Sequence, residues 1–82
     1  MRHSNSRGIA LGKYIRELRI SRRISTLTMA TALEISESHY IQYETGTSSI
    51  YVEHLVIISS ILDIDIKHLL NAFEGAEKNI WI

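Results

Sequence analysis

Residues 29–46 constrain this chain more than any other stretch. Met29-Ala30-Thr31-Ala32-Leu33-Glu34-Ile35-Ser36 leads into Glu37-Ser38-His39-Tyr40-Ile41-Gln42-Tyr43-Glu44-Thr45-Gly46. Ser36 stands where a helix N-cap belongs, and Gly46 where a left-handed residue ends a helix, so the stretch reads as two short helices joined by a tight turn. Such a pair offers one exposed helix to a groove. That helix carries Glu37 and neither Lys nor Arg. Any phosphate it meets has to be gripped by cations from elsewhere in the chain.

Those cations are at one end. The formal net charge is zero, but residues 1–23 hold seven Lys and Arg (Arg2, Arg7, Lys13, Arg16, Arg19, Arg22, Arg23) against Glu17 alone, a net +6. Residues 24–82 hold Lys67 and Lys78 against eight acids, a net −6. The polarity suits a phosphate-facing end and an acidic end turned away from it. The plainer reading of the same residues is a solvated helix face and arm.

The 82 residues make one domain, and 45% hydrophobic content with a mean hydropathy near zero is that of a globular chain. Without cysteine there is neither a disulfide framework nor a thiolate metal site. No apolar run approaches the roughly 20 residues that span a bilayer, and the N-terminus lacks the apolar region of a signal peptide. The expected location is cytoplasmic, with no membrane partner.

No proline, internal repeat or low-complexity linker divides the chain. Residues 1–8 read as a basic arm. Leu11, Ile15 and Leu18 recur at helical spacing within residues 9–22, with Lys13, Arg16 and Glu17 opposite. Ser25 is an N-cap for a second helix over 27–33, and Ser36 caps a third over 37–45. After the polar loop Thr47-Ser48-Ser49 comes an apolar run over 52–62. Its β-branched residues fit a buried strand as well as a helix, and the helical context selects helix. Asp65 caps a fifth helix over 66–73, ending near Gly75. The organisation expected is an arm (1–8), a domain (9–75) and a tail (76–82) finishing on Ile80-Trp81-Ile82.

The pattern Leu11-Gly12, Ile15-Arg16-Glu17-Leu18-Arg19, Ile24-Ser25, Ala30, Leu33, Ile35-Ser36, Tyr40, Tyr43-Glu44, Gly46, Leu55, Ile58, Leu62, Ile64 and Leu69-Leu70 resembles the Cro and phage-repressor (Xre-like) helix-turn-helix family without a gap. In size the chain is most similar to restriction–modification controller proteins and small phage repressors. The resemblance implies an all-α, five-helix bundle of the lambda-repressor-like type, with the third helix in the major groove. It implies a structural ion pair between Arg19 and Glu44, which makes physical sense because a partly buried carboxylate needs a cation and Arg grips it with two bonds. Ala30 is the small residue two crossing helices require. It further implies a transcriptional regulator binding double-stranded DNA as a homodimer on a two-fold symmetric operator. Pairing then involves Ile66, Leu69, Leu70 and Phe73 of the fifth helix, with Ile80 and Trp81 of the tail. Leu69, Leu70 and Phe73 can equally close the monomer's core.

Three positions depart from the family's habit. Thr26 replaces a common Gln and reaches less far. Glu34 replaces a usual Gly at a left-handed turn position, at a cost of about 1 kcal/mol. Glu37 stands where Arg or Gln is frequent. It can accept a hydrogen bond from cytosine N4, complement the positive helix end by roughly 0.3–1 kcal/mol, or repel phosphates.

Candidate base contacts are Ser36, Glu37, Ser38, His39 and Gln42, with Gln42 able to pair both edges of adenine. Candidate phosphate contacts are Thr26, Thr45, Thr47, Ser48, Arg2, Arg7, Arg22 and Arg23. Ile20, Leu27, Ile41 and Ile57 stand where the family is usually polar, and with Ile50, Tyr51 and Trp81 they raise a second regulatory protein as partner. The alternative function is accordingly an interaction module, antitoxin-like or an anti-repressor. His3, His39, His54 and His68 never pair at i, i+3 or i, i+4, so no metal is expected. No cofactor motif, nucleophile elbow or paired catalytic carboxylate suggests an enzyme.

Overall fold

The computed structural model describes residues 6–78, with side chains over 6–75. Arg2, Ile80 and Trp81 lie outside the described residues. Five helices follow one another: α1 Ser6–Ser21, α2 Thr26–Leu33, α3 Glu37–Thr45, α4 Val52–Leu62 and α5 Ile66–Lys78. Among the described residues there is no strand, and no helix is long and apolar enough to cross a membrane.

The inner helix ends follow the capping residues. Ser25 Oγ accepts the Thr28 N–H, and Ser36 Oγ accepts the His39 N–H, both at 3.0 Å. Asp65 Oδ1 accepts the Lys67 N–H at 2.9 Å and starts α5. Gly46 ends α3 with φ +81°. The other helix ends use left-handed residues that are not glycine: Arg23 (φ 59°), Glu34 (φ 60°) and Asp63 (φ 57°).

The outer ends differ from expectation. α1 begins at Ser6, so residues 6–8 are its first turn rather than arm, and Arg7 lies over the Phe73 ring at 5.5 Å, tying that turn to α5. α5 continues through Gly75 to Lys78. A glycine stops a helix by turning left-handed, and Gly75 shows no positive φ.

The core joins Leu11 and Ile15 of α1, Met29, Ala30 and Leu33 of α2, Tyr40 and Tyr43 of α3, Leu55, Ile58 and Leu62 of α4, and Leu69 of α5. In α4 the buried Leu55, Ile58 and Leu62 alternate with exposed Val52, Val56 and Ile57 at a helical period, which settles the β-branched run as helix. α5 packs mainly along α1, and α1 packs on α3. That second contact is made by backbone: a Cβ on Gly12 would lie 2.4 Å from the Glu44 carbonyl oxygen and 2.5 Å from that of Tyr43.

Candidate nucleic-acid interface

α3 is fastened from behind. Arg19 Nε donates to Glu44 Oε2 at 2.6 Å and Nη2 to Oε1 at 3.2 Å, a two-pronged grip, while Nη1 donates to the Ile24 carbonyl at 2.8 Å. Tyr40, fully buried one turn earlier, donates its hydroxyl to Glu44 Oε2 at 2.5 Å. Burial first, then this hydrogen bond, pushes the Tyr40 phenol well above the ordinary tyrosine value, so it stays a donor. The hydrogen bond to Glu44 likewise raises the Arg19 pKa, against the opposing effect of burial. Tyr43 donates to or accepts from His54 Nδ1 at 2.7 Å and so ties α3 to α4, with its own phenol raised by burial and then by Tyr51.

With Tyr40, Tyr43 and Glu44 turned inward, helical geometry puts Glu37, Ser38, Ile41, Gln42 and Thr45 on one outward face, and all five are exposed. Ser36 lies at its head as the N-cap. His39 sits at the flank, half-buried, its ring 4.9 Å from that of Tyr43. Ile41 lies amid the polar candidates, a position its spacing from Glu37 and Thr45 discloses once the face is drawn. An apolar side chain there suits the methyl of thymine.

The hydroxyl candidates have prior engagements. Thr26 Oγ1 donates to Glu37 Oε2 at 2.5 Å, joining the first residues of α2 and α3. Thr45 and Thr47 hydroxyls lie 3.0 Å apart, each within reach of the Gln42 carbonyl. Ser48 is half-buried on the wall of a cleft.

The arginines divide more sharply. Arg22 Nε donates to the Leu62 carbonyl at 2.6 Å, clamping the end of α4, and Nη1 reaches Ser21 Oγ. A carbonyl left over at a helix end takes a cation well, and sequence alone did not disclose a partner 40 residues away. Arg7 is engaged with Phe73. Arg23 is exposed, and so are Lys13 and Arg16 of α1, which were not among the expected contacts. Arg16 follows Gly12, which meets α3, by four residues, so helical geometry puts it on a nearby side of α1, where it is exposed.

On α5, Leu69 is fully buried in the monomer, Ile66 and Phe73 are half-buried, and Leu70 is 43% exposed. The helix therefore has a core edge and an outer edge. Among the described residues no group of three or more His, Asp and Glu is placed to hold a metal.

Residues 15–69 match the helix-turn-helix family, a span that takes in all of α2, α3 and α4. Among solved structures, the clp gene regulator ClgR from C. glutamicum is similar, with a TM-score of 0.73 over 93% of this chain and 95% of that chain, at 20% identity. Comparison with curated protein sequences gives no match.

Proposed function

The chain belongs to the helix-turn-helix family of DNA-binding domains, and on that premise we propose that it is a sequence-specific transcriptional regulator. It binds double-stranded DNA as a homodimer on a two-fold symmetric operator, with α3 in the major groove. The observation that carries this reading is the outward face of Glu37, Ser38, Ile41, Gln42 and Thr45 on a helix immobilised by Arg19, Tyr40 and Glu44. Residues 9–75 are the DNA-binding unit, and a cytoplasmic location suits the role.

Gln42 reads adenine, Ile41 meets a thymine methyl, and Ser36, Ser38 and His39 supply shorter contacts. Phosphates are gripped by Arg16, Lys13 and Arg23, by Arg2 ahead of α1, and by Thr45, Thr47 and Ser48. Arg7 and Arg22 support the fold instead. Gln42→Ala is expected to cost about 5- to 150-fold in affinity for the operator, with weak binding to unrelated DNA and the fall in affinity with salt unchanged. Equal weakening toward every sequence would remove Gln42 as a reader.

Pairing uses the outer edge of α5. Leu70 is exposed there, and Tyr51 at the start of α4 and Val52 and Val56 within it are exposed as well. Leu70 and Phe73 also line a cleft of about 320 Å³ with Leu11, Tyr43, Ile50 and Leu55. The tail continues from this helix. Deleting residues 76–82 is expected to turn a dimer into a monomer in sedimentation, and an unchanged mass would take the tail out of the interface.

A second reading, a protein-interaction module, draws on the exposed Ile20, Leu27 and Ile57. A gel shift with DNA from upstream of the gene separates the two. No shift at about 50 mM salt, where phosphate attraction is strong, favours the interaction module.

A further inference from the structure

The hydrogen bond between Thr26 and Glu37 gives the acidic residue of α3 a task. We infer that Glu37 selects cytosine in each operator half-site and that Thr26 is its positioning residue. This rests on the DNA-binding reading above.

The carboxylate does not cap its own helix: that work is done by Ser36, whose Oγ holds the His39 N–H. Instead Glu37 turns to the preceding helix and accepts the Thr26 hydroxyl on Oε2. A threonine hydroxyl has a single proton to give, so while this bond lasts Thr26 donates to no phosphate. Among the described residues the other oxygen, Oε1, accepts no hydrogen bond. The result is a side chain restrained at one oxygen and open at the other, on the exposed face of the reading helix.

An ionised carboxylate only accepts hydrogen bonds. In the major groove, guanine shows it the acceptors N7 and O6, and thymine shows O4, so both repel it. Adenine offers the N6 donor but sets the N7 acceptor beside it. Cytosine offers the N4 donor without that neighbour. Glu37 therefore favours cytosine over adenine and opposes guanine and thymine, and the Thr26 bond sharpens the choice by denying the carboxylate other orientations. The two departures from family habit are thus one device: a longer side chain at position 26 is unnecessary when its task is to hold Glu37.

Site selection from a randomised DNA duplex pool tests this with the full chain. The unaltered protein is expected to select cytosine at one position of each half-site, about tenfold over guanine. Glu37→Gln, whose amide matches adenine N6 and N7 together, is expected to move that position to adenine. Thr26→Val is expected to keep cytosine with a several-fold weaker preference, and Thr26→Ser, which retains the hydroxyl, to restore it. An unchanged base in Glu37→Gln overturns the assignment of Glu37. A Thr26→Val selection identical to the unaltered one overturns the positioning role, and an unchanged thermal melt shows that a weaker preference does not come from misfolding. If the unaltered protein selects no sequence at all, the DNA-binding proposal itself falls and takes this inference with it.

Discussion

Glu44→Ala is expected to destabilise the fold by about 3–5 kcal/mol, the range for removing one partner of a buried ion pair. The substitution strands two buried donors at once. Arg19 is 9% exposed and loses both bonds to the carboxylate, while Tyr40, fully buried, loses the acceptor of its hydroxyl. A charge left without a partner in the interior is far more costly than the pair was worth, because its desolvation is no longer offset. A domain of this size has roughly 5–15 kcal/mol in total, so the variant stands near unfolding. At 4–8 °C per kcal/mol for a small domain, the melting temperature followed by circular dichroism should fall by at least about 12 °C. Replacing Arg19 and Glu44 together by apolar residues of similar volume should recover much of the loss. A fall of only a few degrees for Glu44→Ala would mean that the pair does not hold α3 in place.

The second large effect concerns a glycine in the middle of a helix. Gly12→Ala raises helix propensity by up to about 1 kcal/mol, yet it is expected to destabilise by about 1–3 kcal/mol or more. The added methyl would sit 2.4 Å and 2.5 Å from two carbonyl oxygens and 2.7 Å from the Glu44 carbonyl carbon, all backbone atoms that no rotamer change can move. α1 and α3 must part, and the grip of Arg19 on Glu44 is strained with them. Gly75→Ala supplies the control: nothing lies within 4 Å of its Cβ position, so the same exchange gains the propensity and meets no obstacle. Urea unfolding of the two variants should therefore shift in opposite directions. If both stabilise, the close approach at Gly12 is wrong.

What could be read from the chain alone was local. Ser25, Ser36 and Asp65 mark helix starts because a short polar side chain at the cap satisfies backbone donors two or three residues away, and Gly46 marks an end for a similar reason. The left-handed turn at Glu34 was legible through family resemblance, since the residue itself disfavours that conformation. What could not be read was set by partners distant in sequence. The carbonyl that claims Arg22, the ring under Arg7 and the hydroxyl that restrains Glu37 belong to other helices. Periodicity places a residue on a face without saying what the face meets. For the same reason Ile41 looked like a stray surface apolar until the inward turn of Tyr40, Tyr43 and Glu44 defined the outward side of α3. Gly75 misled because a glycine permits a helix to end without requiring it.

The backbone contact at Gly12 also bears on spacing. α5 packs along α1, and at Gly12 the backbone of α1 meets that of α3 directly, as it does again where Gly46, just past α3, lies against Ile9. In a dimer paired through α5, α1 is the ruler that sets how far apart and at what angle the two reading helices stand. One extra base pair between half-sites moves them about 3.4 Å along the axis and turns them by about 35°, which so stiff a ruler cannot follow. The number of base pairs between half-sites then carries recognition information that no side chain reads.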